Sequence, residues 1–120
     1  MSASQPSQLG QSGRPSEPSQ RGVTIVIAAY HEAAALPDVI AGLLRAGWLD
    51  VVVVDDGSSD ATAIVAGRAG AHVLIHPINR GQGAALQTGL TYALRRGAEI
   101  VVTFDADGQH RVEDLDALIA

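Results

Sequence analysis

The chain has 120 residues, 47% hydrophobic, 18% charged and 3% aromatic, with a formal net charge of -5 at neutral pH, the profile of one soluble globular domain. It contains no cysteine, which excludes a disulfide framework, a thiolate metal site and a cysteine nucleophile. The acidic balance and the absence of lysine, all eight basic residues being arginine, argue against a nucleic-acid groove, which needs a basic stripe.

Residues 1–22 are rich in Ser, Gln and Pro and nearly devoid of aliphatic side chains. Ordering them would bury almost no apolar surface, so they are expected to be a disordered, dispensable leader, with one folded unit over residues 23–120. No run approaches the roughly 18 apolar residues of a membrane span, and the N-terminus lacks a signal-peptide pattern. A cytoplasmic location is expected, at the inner face of the membrane if the full-length protein carries an anchor.

From residue 23 the pattern changes to a continuous apolar, β-rich run through residue 29, as in a strand buried on both faces of a parallel sheet. Leu36, Val39, Ile40, Leu43 and Leu44 then recur at helical spacing, with Pro37 suited to the first turn and Gly47 placed to stop the helix. The same grammar repeats. A strand over 51–54 is followed by Asp55-Asp56-Gly57-Ser58-Ser59-Asp60, a turn holding candidate N-caps for a helix over 61–69. A short strand over 72–75 leads through Asn79-Arg80-Gly81-Gln82-Gly83 into a helix ending near Arg96, with Gly97 as its C′ residue. A fourth strand spans 99–104, and Leu115, Leu118 and Ile119 begin a last helix. Alternating strands and helices of this length predict an α/β fold with a mainly parallel sheet and flanking helices. The acidic and glycine-rich clusters all follow strands, which puts them at the carboxyl edge of the sheet, where open α/β folds bind ligands and helix N-termini favour anions.

Within Asp105-Ala106-Asp107-Gly108, residues i and i+2 of an extended chain point to one side, so Asp105 and Asp107 can converge on one cation. Two carboxylates with phosphate oxygens suit Mg²⁺ or Mn²⁺. Spacing alone serves equally for a solvated turn with a capping Asp; the position after a buried strand favours the metal. The Asp55–Asp60 turn, taken alone, reads as a capping loop, with one carboxylate for a nucleobase N–H or a ribose hydroxyl as the functional alternative. Gly81-Gln82-Gly83 can wrap an anion, but it is neither a dinucleotide fingerprint nor a P-loop. Tyr30, followed by His31 and Glu32, reads as a base-stacking ring or as an ordinary half-buried tyrosine. His72 and His76 read as packing or surface residues, while His110 adjoins the acidic turn.

Taken in order, the stretches 23–32, 51–62, 79–86 and 102–110 resemble the family 2 glycosyltransferases of GT-A fold, a Rossmann-like nucleotide-diphospho-sugar-binding fold, and among them the dolichol-phosphate mannosyltransferase-like branch. The resemblance implies that Tyr30, Glu32 and Asp56 hold the nucleoside, with Asp55 nearby, and that Gly81 and Gly83 shape the wall beside the sugar-diphosphate. It implies that Asp105 and Asp107 are the catalytic DXD pair binding Mg²⁺ or Mn²⁺ and diphosphate, with Gln109 joining the metal shell. It also places strands one and four side by side at the switch point of the sheet. Ala28, His31 and Gln82 depart from the family's usual Pro, Asn and Lys.

The implied activity is inverting, metal-dependent transfer of a sugar from a UDP- or GDP-sugar donor to a polyprenyl-phosphate or glycan acceptor, as in cell-envelope glycan biosynthesis. Because such enzymes normally continue well beyond the DXD turn, the chain is expected to be a truncated, donor-binding half that is inactive alone. The alternatives are a non-catalytic nucleotide-binding fragment and, more distantly, a haloacid-dehalogenase-type phosphatase, which also carries an Asp-x-Asp turn after a hydrophobic strand.

Overall fold

The computed structural model describes residues 22–106. The leader (but for Gly22), the last helix, Asp107, Gln109 and His110 lie outside the described residues. Seven elements follow one another: β1 (Val23–Ala29), α1 (Leu36–Arg45), β2 (Val51–Asp55), α2 (Thr62–Ala69), β3 (His72–Ile75), α3 (Gln82–Arg95) and β4 (Ile100–Thr103). The strands form one all-parallel sheet in the order β3-β2-β1-β4. Ile25 pairs with Val51 on one side of β1 and with Val102 on the other.

The apolar runs of β1 and β2 are buried on both faces, as their lack of alternation requires. On one face, Ile25, Ile27, Val51 and Val53 pack with Leu36, Ile40 and Leu43 of α1, Ala66 of α2, Trp48 and Phe104. On the other, Val26, Val52 and Val54 pack with Ala85 and Ala93 of α3. The helical face presented by α3 is built from small residues, Ala85, Gly89 and Ala93. A Cβ on Gly89 would come within 2.4 Å of Val26 Cγ1 and 3.2 Å of Val54 Cγ2, so only glycine permits this approach of helix to sheet.

The connections from β1 to β3 step outward along the sheet with α1 and α2 on one face; α3 returns over the other face to deliver β4 beside β1. That reversal of strand order makes the β1/β4 boundary the topological switch point, as the family resemblance implies.

Element ends differ slightly from the sequence pattern. Pro37 does sit in the first turn of α1, and Gly47 and Gly97 adopt φ of 96° and 94° just past α1 and α3, where left-handed glycines end helices. Helix α2 begins at Thr62 rather than at 61, because Ala61 keeps a non-helical ψ of 20°. The N-cap position itself is Ala61, which offers no side-chain bond; one residue earlier, Asp60 Oδ1 accepts the Thr62 N–H at 3.0 Å. Strand β4 is one residue shorter at each end than expected. No helix among the described residues is long and apolar enough to cross a membrane.

Candidate functional site

Three loops meet at the carboxyl edge of the sheet, after β1, β2 and β3. The first, after β1, carries Tyr30-His31-Glu32. His31 adopts φ of 54°, and among the described residues it is the non-glycine with positive φ, an uncommon conformation for L-residues in which Asn, Asp and His are enriched. Contacts to the second loop hold it there. The His31 N–H donates to Ser58 Oγ at 2.9 Å, and the ring Nε2 accepts the Ser59 N–H at 3.1 Å while lying 3.0 Å from Ser59 Oγ. Since a backbone amide only donates, Nε2 carries no proton in this arrangement. The His31 ring stacks on Tyr30 with centroids 4.0 Å apart, covering part of a residue that remains 47% exposed. Further along, the Glu32 N–H donates to Thr62 Oγ1 at 3.0 Å. The Thr62 hydroxyl donates in turn to Asp60, and this bond, against desolvation and with the Thr62 N–H assisting, lowers the Asp60 pKa.

The second loop, after β2, folds on its own carboxylates. Asp55 is buried and its Oδ1 accepts the Ser58 N–H at 3.1 Å, a local turn of the kind Asp favours. At Gly57, with φ of 79°, a Cβ would lie 2.4 Å from the Asn79 backbone nitrogen, so this loop rests directly on the backbone of the third. Asp56 joins the two loops. Its side chain is buried, with Oδ1 accepting the Arg80 N–H at 2.9 Å and facing His76 Nδ1 at 2.8 Å, and with Oδ2 accepting the Gly81 N–H at 2.8 Å. Burial pushes its carboxyl pKa up, but the bonds from Arg80, His76 and Gly81 together outweigh that effect and hold it below the ordinary aspartate value.

Between these loops lies a cavity of about 280 Å³ lined by Ala28, Ala29, Tyr30, Asp56, Asn79, Gly81 and Gln82, open at the N-terminus of α3, whose unpaired amides favour anions. Of the residues singled out in the sequence, Tyr30, Asp56 and Gly81 therefore line one cavity. Glu32 and Asp55 support the loops beside it. Gly83 sits in the first turn of α3, with open space where a Cβ would be. Asp105 follows β4, two residues beyond Thr103, which pairs with Val26 of β1; it is thus on the same sheet edge, at the switch point. Its expected partners Asp107 and Gln109 lie outside the described residues. Among the described residues no group of three or more acidic or histidine side chains is arranged to hold a metal, so a cation at Asp105 would need ligands from the following turn or from a bound diphosphate.

His76 corrects the sequence reading. It is neither a surface residue nor simple packing: it is 6% exposed and hydrogen-bonds Asp56 through one ring nitrogen and Thr88 Oγ1, at 2.8 Å, through the other. Asn79 and Thr88 were also missed; the signal available was only that Asn79 adjoins the glycine pair and Thr88 falls two turns into the following helix. His72 behaves as expected of a surface residue, half exposed near Asp50 and Arg96.

A parallel sheet with helices on both faces and a polar crevice at its switch point is the architecture of nucleotide-binding α/β proteins. Residues 24–120 match Glycosyl transferase family 2, and the chain belongs to that family. It is 35% identical over 109 residues to a polyprenol monophosphomannose synthase of Mycolicibacterium smegmatis, which covers 85% of this chain and 41% of that protein. It is 37% identical over 103 residues to an undecaprenyl-phosphate mannosyltransferase of Micrococcus luteus, covering 81% and 42%. Among solved structures it superposes, with a TM-score of 0.61 and 27% identity over 82% of this chain and 39% of the other, on glucosyl-3-phosphoglycerate synthase from Mycobacterium tuberculosis in complex with Mn²⁺, UDP-glucose and phosphoglyceric acid. The fold is thus that of the GT-A glycosyltransferases, and the chain spans about two fifths of the length of these relatives. Family membership removes the dehalogenase-type phosphatase as a reading of the Asp-x-Asp turn.

Proposed function

We propose that this chain forms the donor-binding part of a glycosyltransferase that moves a sugar from a UDP- or GDP-sugar, with inversion, to a polyprenyl-phosphate or glycan acceptor. The observation that carries the reading is the convergence of Tyr30, Asp56 and Gly81 on one cavity at the switch-point edge that also bears Asp105. The relatives named for polyprenyl-phosphate products support a polyprenyl-phosphate acceptor. In this reading Tyr30 offers the exposed part of its ring to the nucleobase, with Glu32 and Asp56 contributing to the nucleoside site and Asp55 shaping the loop beneath. Gly81 and Gly83 leave room for the sugar-diphosphate to approach the amides of α3.

Asp105, with Asp107 and Gln109, offers hard oxygen donors that fit Mg²⁺ or Mn²⁺. These residues would hold the ion, and the chemistry it would supply when bound is neutralisation of charge on the departing diphosphate. The chain's own residues bind and orient the donor so that its anomeric carbon is presented to the acceptor.

Titration calorimetry of the chain with UDP and GDP, with and without Mn²⁺ or Mg²⁺, tests this. Metal-dependent binding of one of them, with the metal-dependent part lost in Asp107→Ala, is expected. Equal affinity in EDTA would overturn the metal assignment, and absence of binding by both nucleotides under all conditions would overturn the donor reading.

A further inference from the structure

The bond network around Asp56 does more than bury a charge. An ionised carboxylate has about four acceptor sites, and in Asp56 three are taken by His76, Arg80 N–H and Gly81 N–H. The two amides belong to the loop that walls the cavity and leads into α3. His76 follows β3, where its own N–H bonds the Asp55 carbonyl at 2.9 Å, and Thr88 lies on α3. One imidazole therefore ties the ends of β2 and β3 to α3 through a carboxylate that also lines the cavity.

The geometry sets the proton positions. Nδ1 must donate to Asp56, so in the neutral ring Nε2 is an acceptor and the Thr88 hydroxyl donates to it; in the charged ring Nε2 donates to the same oxygen. A hydroxyl satisfies both states. Among the described residues, the neighbouring titratable groups bond this pair only through their backbone: Asp55 reaches His76 through its carbonyl, and Arg80 reaches Asp56 through its amide.

From this arrangement we infer that His76, held by Thr88, is a positioning residue for donor binding: it fixes the rotation of the Asp56 carboxylate, and so the place of the Arg80 and Gly81 amides in the cavity wall. The inference rests on the donor-binding reading above for its effect on affinity, but its effect on the loop does not. Rotation of Asp56 without its imidazole would release the two amides together and leave the cavity wall free to adopt several conformations.

The experiment uses the full chain in four variants: Thr88→Val, which keeps the shape and removes the hydroxyl; Thr88→Ser, which restores it; His76→Asn, which keeps a donor toward Asp56; and Thr91→Val, one helical turn away and outside the network. Amide hydrogen exchange at Arg80 and Gly81 is measured without ligand, and UDP and GDP affinity with Mn²⁺. Thr88→Val is expected to speed exchange at both amides and to weaken nucleotide binding by up to about tenfold, the scale of one lost hydrogen bond. Thr88→Ser should recover both readouts, His76→Asn should keep part of the protection, and Thr91→Val should leave both at the wild-type level. The ring ¹⁵N signals of His76 should also move when nucleotide binds. Unchanged exchange and affinity in a folded Thr88→Val variant would overturn the inference. So would failure of Thr88→Ser to restore them. If the wild-type chain binds neither nucleotide, the donor reading fails, and the exchange rates still decide whether His76 positions the loop. Should Thr88→Val not fold, Thr88→Ser and His76→Asn decide by the same exchange measurement.

Discussion

Replacing Gly89 by alanine should destabilise the protein, although alanine is the better helix former. Inside a helix the exchange is worth about 1 kcal/mol in favour of alanine. Against it stands the new methyl group, 2.4 Å from Val26 Cγ1 and 3.2 Å from Val54 Cγ2, so the nearer contact must open by about 1 Å to reach ordinary packing distance. Val26 cannot swing away easily. It is fully buried on β1 between two paired neighbours, and a β-branched side chain has few rotamers. Overpacking of this kind costs about 1–3 kcal/mol, and the stiffness of the site puts the cost at the upper end. The net loss is then about 2 kcal/mol, or roughly 10 °C in melting temperature for a domain of this size. Urea denaturation of wild type, Gly89→Ala, Val26→Ala and the double variant measures it. The double variant should lose less than the sum of the two single changes, because the alanine methyl fills part of the space that Val26 vacates. A Gly89→Ala protein as stable as wild type, or additive single changes, would show that α3 does not lie as close to the sheet as described.

Asp56→Ala should leave the buried His76 without an acceptor and free the part-buried Arg80 and Gly81 amides to turn to water, and so cost about 1–3 kcal/mol, the scale for one orphaned buried group; chemical denaturation gives the value, and a loss under about 1 kcal/mol would contradict the network. Because the folded pKa of Asp56 is depressed below its unfolded value near 3.8, its contribution is present in full above that pH and is lost as pH falls through the lower folded value. Acid titration of stability should therefore show a drop below pH about 4 that is smaller in Asp56→Asn, where only Asp60 of the two depressed carboxylates remains. His31→Val puts a β-branched residue at φ of 54° and removes the bond to the Ser59 amide, so it should destabilise by about 1–3 kcal/mol, whereas His31→Asn, which tolerates that backbone better, should cost less. Thermal melts that rank the two variants the other way would refute the account.

Much of this architecture was legible in the sequence, because hydrophobic periodicity is a local signal. The strand over 72–75 was expected with the bounds observed, and α1 was set by its apolar spacing, Pro37 and Gly47. The ends of α2 and β4 were off by one residue because caps and sheet edges depend on backbone torsions that composition does not report. The family resemblance brought Tyr30, Asp56 and Gly81 together in advance. It did not disclose His76, whose meaning depends on a carboxylate 20 positions earlier and a hydroxyl 12 positions later; in the sequence it is only a polar residue ending a short apolar run. Nor did it mark His31 as left-handed, since that torsion is held by a loop lying 27 positions downstream. Gly89 carries no signal of its role in the sequence, and only packing across the sheet gives it a reason.

The small residues under α3 have a consequence for how the cavity meets a ligand. Alanine and glycine have no side-chain torsions to freeze, so the seam formed by Ala85, Gly89 and Ala93 against Val26, Val52 and Val54 has little rotameric slack with which to absorb a push. The start of α3 is thereby seated directly on the central strands, as in a dry joint rather than a cushioned one. The amides at that end are thus set in place before any ligand arrives, and little entropy remains to be lost there on binding.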